Sequence, residues 1–142
     1  MTCAPGSLLE AAKKIQGSAS SESDFRAVVN RAYYASYHRC RTYYAALPHL
    51  STLRGNGVHE QLINNLKFPA EKLSSNCQKR NEALAKYLRD LCMARAHADY
   101  DLDEVFDLKK MQDAVLTADL IFDFSSATKG EVEVVDSPLA QA

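Results

Sequence analysis

The stretch "ALAKYLRDLCMARAHADYDLD", Ala83 to Asp103, decides the fold class. It holds no glycine or proline, and its apolar residues recur at spacings of three and four. At about 100° per residue from Leu84, Leu88 falls near 40°, Leu91 near 340°, Arg95 near 20° and Asp99 near 60°. Arg95 and Asp99 therefore continue the leucine stripe toward an interior or an interface. An unpaired guanidinium there would cost on the order of several kcal/mol. Arg95 thus needs a carboxylate, of which Asp99, one turn on, is the nearest, or a functional reason to be there. His97 falls near 220°, with Lys86 and Asp90, on the polar face. The spacing predicts an inward Arg95 within reach of Asp99 or Tyr100, and a His97 substantially more exposed.

Outward from this helix the chain reads as helical almost throughout. Prolines stand only at 5, 48, 69 and 138, and period-2 alternation is scarce. Helices are expected at about residues 7–19, 24–47, 58–67, 69–99 and 104–125. Leu8, Ala12, Ile15 and Ala19 stripe the first, and Leu108, Met111, Val115, Ala118 and Phe122 the last. Serines in 18–23 supply the cap of the second helix, and Asp101 or Asp103 that of the last. Residues 1–128 read as one domain and 129–142 as a flexible tail, in which "EVEVV" (131–135) offers a short edge strand as an alternative.

At 142 residues and 46% hydrophobic, the chain can bury one moderate core. No apolar run reaches membrane-span length, and no signal-like start is present. The four cysteines, Cys3, Cys40, Cys77 and Cys92, show no zinc-ligand or disulfide spacing and read as reduced thiols of a cytoplasmic protein. Gly55 and Gly57 do not make a phosphate loop. No metal or cofactor is expected.

Charge is unevenly placed. Residues 25–98 carry twelve Lys/Arg against four Asp/Glu, and residues 99–136 three against eleven. The two halves either neutralise each other on packing or mark an anionic partner. The second helix sharpens the question. One arc is apolar (Val28, Val29, Ala32, Ala35, Cys40). The opposite arc holds Arg26, Asn30, Arg31, Tyr34, Tyr37, His38 and Arg41. Tyrosine and arginine without acids suit phosphate contacts and base stacking, and equally anchor protein interfaces.

"NRAYYASYH" (30–38), "VHEQLINNL" (58–66) and "RAHADYD" (95–101) together resemble the small stand-alone HEPN proteins, the family named for higher-eukaryote and prokaryote nucleotide binding. The resemblance covers about residues 8–125. It implies an all-α, up-and-down bundle of four to five helices, usually a homodimer. Many members are metal-independent ribonucleases with an Arg, four to six residues, then His. Others partner small nucleotidyltransferases in toxin–antitoxin or defence pairs. Here Tyr100 stands five residues after Arg95, where that pattern has histidine, and His97 stands two after it. Two functions follow. One is an RNA-binding or RNA-cleaving protein, with Arg95 on phosphate, Asp99 and Tyr100 orienting it, and His97 or His38 moving the proton. The other is a non-catalytic dimeric module docking a nucleotidyltransferase.

The periodicity sets its own test. Far-ultraviolet circular dichroism should show well over half of the residues helical, and Leu88→Ala should cost about 2–5 kcal/mol in chemical denaturation. A near-neutral Leu88→Ala would refute the stripe as core.

Overall fold

A computed structural model describes residues 2–47, 57–68, 73–126 and 137–141. These form α1 (Pro5–Ser18), α2 (Glu22–Ala45), α3 (Val58–Lys67), α4 (Ser75–Tyr100) and α5 (Leu108–Ser126), then a short 3₁₀ helix (Pro138–Gln141). No strand occurs among the described residues. The 131–135 stretch and residues 69–72, where the fourth helix was expected to open, lie outside them.

Local chemistry sets the helix starts. Ser21 accepts from the Asp24 amide, and the Asp24 carboxylate accepts back from the amides of Ser20 and Ser21, so both sides of a capping box are filled. These bonds hold the Asp24 carboxyl below the usual range. Ser74 caps α4 by accepting from Cys77 N. Gly57 precedes α3 at φ 117° and ψ 172°, a conformation open essentially only to glycine.

α2 is the central element and packs on α1, α4 and α5, while α3 lies mainly against α4. Val28, Val29, Ala32, Tyr33, Ala35 and Cys40 of α2 meet Leu84, Leu88 and Leu91 of α4 in the core. The leucine stripe is fully buried, as its spacing requires. Burial pushes the Cys40 thiol up to about 12, so it stays a protonated, apolar core group. In α5 the buried apolar set is Met111, Ala114, Val115, Ala118 and Ile121, with Asp113 and Thr117 also buried, and Leu108 is exposed. Residues 137–141, expected as part of a tail, instead fold back on α4 and α5. Ser137 is buried against Thr117, and Leu139 packs on the core. No described helix is long and apolar enough to cross a membrane.

The last helix begins at Leu108 and not near residue 104, and the cause is Arg26. This side chain, 9% exposed, donates to the carbonyls of His97, Ala98, Asp101 and Glu104. It also donates to Glu22, whose carboxylate accepts from Phe106 N at 2.8 Å. The α4 carbonyls left over at the helix end thus find donors on another helix. Residues 101–107 are drawn into a turn, Phe106 is buried, and Asp107 caps α5 by accepting from Lys110 N. The Arg26 and Phe106 hydrogen bonds hold the Glu22 carboxyl below its ordinary value.

Arg26→Ala should therefore lower stability by about 3–5 kcal/mol, because several carbonyls lose a charged donor together. Arg26→Lys should restore only part of that loss, since an ammonium lacks the guanidinium's fork. Urea denaturation of the two variants is the check. Equal stability of wild type and Arg26→Ala would remove the clamp from the account.

Candidate functional site

Arg95, on the last turns of α4, faces α2. Its side chain is 18% exposed, and its Nε stands 3.1 Å from Asp99 Oδ2. That is an ion pair in distance only, since the Nε–H reaches no acceptor at hydrogen-bond angle among the described residues. Asn30 Nδ2 donates to the same Asp99 oxygen at 2.9 Å. The single hydrogen bond from Arg95 to a described residue goes from Nη2 to Tyr34 Oη, at 2.9 Å. The guanidinium also lies 5.7, 5.4 and 5.6 Å from the rings of Tyr33, Tyr34 and Tyr100. An arginine offers five N–H donors, so this one is charged, aromatically collared and short of acceptors.

His59, at the start of α3, completes the cluster. In the sequence this histidine stands only within "VHEQLINNL", a stretch of the family resemblance, with no role of its own. Its ring lies 5.4 Å from Tyr33, 6.0 Å from Tyr34 and 4.5 Å from Tyr37. Nδ1 and Tyr33 Oη are 2.5 Å apart. Burial, then the nearby positive charge of Arg95 and His38, pushes His59 below the ordinary histidine value, so the imidazole is neutral. Burial, then the neighbouring Cys92 side chain, pushes the Tyr33 phenol up, so it keeps its proton. Where Nδ1–H donates to the Tyr33 oxygen, Nε2 of His59 keeps its lone pair; where the phenol donates to Nδ1, Nε2 carries the hydrogen.

Asn30, Tyr34, Arg95, Asp99 and the exposed Tyr100 thus come together. Tyr37 is buried against His59, with His38 and Arg41 exposed at its margins, and Arg31 is exposed farther along the helix. Arg26 is absent from this group because the end of α4 covers it.

His97 departs from expectation. Its side chain is 21% exposed, scarcely more than that of Arg95. The wheel describes α4 alone, whereas the 101–107 turn folds over that face and lays Phe106 5.4 Å from the imidazole. His97 Nδ1 lies 3.1 Å from Asp101 and 3.2 Å from Glu104, and the ligand atoms of the three residues fall within 4.8 Å of one another, as cation ligands would. Lys110 Nζ stands 3.2 Å from Nε2. An ammonium only donates, so Nε2 must accept and Nδ1 must carry the hydrogen toward the carboxylates. A metal at Nδ1 would need the opposite tautomer. The arrangement is a charged cap on the end of α4, and the structure does not bring His97 to Arg95.

Among known proteins, the chain matches no family model, no curated protein and no solved structure.

The lowered His59 value gives a sign to test. In the unfolded chain the imidazole takes its proton near its ordinary value of about 6.5, and the folded chain resists. The contribution is present above that value and is lost as pH falls toward the lowered folded value. His59→Gln should flatten this part of the stability profile in urea titrations at pH 7.5 and 5. An unaltered slope in the variant would contradict a neutral, partly buried His59.

Proposed function

We propose that this chain is a HEPN-type helical protein that binds RNA at the Arg95 cleft and cleaves it without a metal. The observation that supports the reading is Arg95 itself: a nearly covered guanidinium with donors to spare, beside a neutral imidazole. Spare donors on a charged fork suit a phosphate oxygen, and the tyrosine collar suits flanking bases. His59 fills the role that the resemblance gives to a histidine elsewhere in the sequence.

In this reaction the 2′-hydroxyl of the ribose attacks the neighbouring phosphorus. The O2′–P bond forms as the P–O5′ bond breaks, and the 2′-hydroxyl proton passes to Nε2 of His59 in the tautomer whose Nδ1–H donates to Tyr33. The leaving O5′ takes a proton from water at the open rim. The products are a 2′,3′-cyclic phosphate and a 5′-hydroxyl. Arg95 stabilises the charge that builds on the phosphate oxygens. Asp99, held by Asn30, orients Arg95, and Tyr34 fixes the guanidinium plane.

A second reading is favoured by a different observation. Tyr100, Leu102, Val105 and Leu108 are exposed apolar side chains on a short acidic stretch. That surface suits docking of a protein partner, whether a second copy or a small nucleotidyltransferase, with Arg95 and Asp99 as a polar brace.

The experiment is RNA cleavage in excess chelator. Arg95→Ala and His59→Gln should each slow cleavage by about a hundredfold or more, with 2′,3′-cyclic ends on the wild-type products. A wild type inert toward RNA, with Arg95→Ala several degrees less stable, would turn the reading to the docking module.

A further inference from the structure

Beside the Arg95 cleft, a groove opens between α2 and α3. Tyr37, Arg41 and Tyr44 line it from α2, and Val58, Gln61 and Asn65 from α3, around a cavity of about 420 Å³. The spacings of three and four put each trio on one helix face. The volume suits a single flat heterocycle and sits in the lower part of the range for small-molecule sites. Tyr37 joins this groove to the cleft, since its ring contacts His59 at 4.5 Å and lies 5.8 Å from the Arg41 guanidinium.

Two amides set the groove apart from a packing defect. Gln61 and Asn65 stand one turn apart, and neither side chain hydrogen-bonds another described residue. Asn65 Oδ1 is closed to solvent with no partner among the described residues, so the carboxamide must turn about χ2 to present it to the groove. A buried amide left unpaired carries a desolvation cost that a ligand with a matching edge would recover. The carboxamide places an acceptor beside two donors in one plane, the pattern that pairs with the edge of a nucleobase. Arg41, exposed at the mouth, presents a fork to phosphate.

We infer that this groove is a nucleobase pocket. One unstacked base of an RNA strand crossing Arg95 enters it, Asn65 and Gln61 hydrogen-bond its edge, and Arg41 takes the adjoining phosphate. The inference rests on the RNA reading above and adds that the chain prefers one base over the others at a fixed position. An apolar slot would hold any base, whereas two amides reward one edge and leave another unpaired.

The test is fluorescence anisotropy with short labelled homopolymers of adenosine, cytidine and uridine, 2′-O-methylated so that they cannot be cut. The wild type should bind its preferred strand about tenfold or more tighter than the weakest. Asn65→Ala and Gln61→Ala should each bring the strands to within about twofold of one another, with thermal melting confirming that each variant is folded. Asn65→Asp, which keeps the size but replaces a donor with an acceptor, should reorder the strands. A wild type that binds all strands equally, or variants that keep the wild-type order, would overturn the pocket and leave the RNA reading standing. A wild type that binds none of them, or any RNA that can be cut, would remove both.

Discussion

The end of α4 depends on one guanidinium. Helices leave their last carbonyls without partners, and a helix end inside a bundle cannot leave them to water. Arg26 satisfies two at the end of α4 and two more in the following turn, while Glu22 holds both Arg26 and Phe106 N. Because Arg26 belongs to α2, the contact joins residues 71 to 78 positions apart. It fixes the last turn of α4 against α2 and so sets where Arg95 and Asp99 can reach. A single side chain thus links the core helix, the connection to α5 and the candidate cleft.

The sequence carries most of the fold in its periodicities. Leu84, Leu88 and Leu91 are buried where a regular helix puts them, and Val58–Lys67 folds over the residues its pattern marks. Two of the misjudged residues share one cause, whereas Tyr37 is buried by His59 of α3. Arg26 lies on the polar arc of α2 and His97 on the polar face of α4, and each is polar only with respect to its own helix. What covers them is the 101–107 turn, together with the end of α4 over Arg26, and the path of that turn follows from hydrogen bonds made far away in sequence. The same turn delays α5, because the carbonyls of Glu104 and Val105 are taken by Arg26 and Lys110.

The candidate cleft was readable to a different depth. The inward direction of Arg95 and its pairing with Asp99 follow from i,i+4 spacing on a leucine stripe. Its unfilled donors do not, because they emerge only when every neighbour has been counted. His59 was hidden for a further reason. A histidine two residues into a short helix has no periodic signature, and its meaning comes from Tyr33 and Tyr37, which stand on another helix. Pairing across helices is a tertiary fact that neither local pattern contains.

Gly57 carries a consequence for how this protein tolerates change. It holds no functional group, and a side chain there would meet open space. Its backbone, at φ 117°, nevertheless sets the direction in which α3 departs, and His59 follows two residues later. Any other residue would strain that peptide and rotate the helix start, carrying the imidazole away from Tyr33. A saturation scan scored on activity would mark position 57 as intolerant as a chemical residue. The same scan scored on abundance would pass it more readily, since the core leucines lie elsewhere. A position can thus behave genetically as part of a site to which it contributes only an angle.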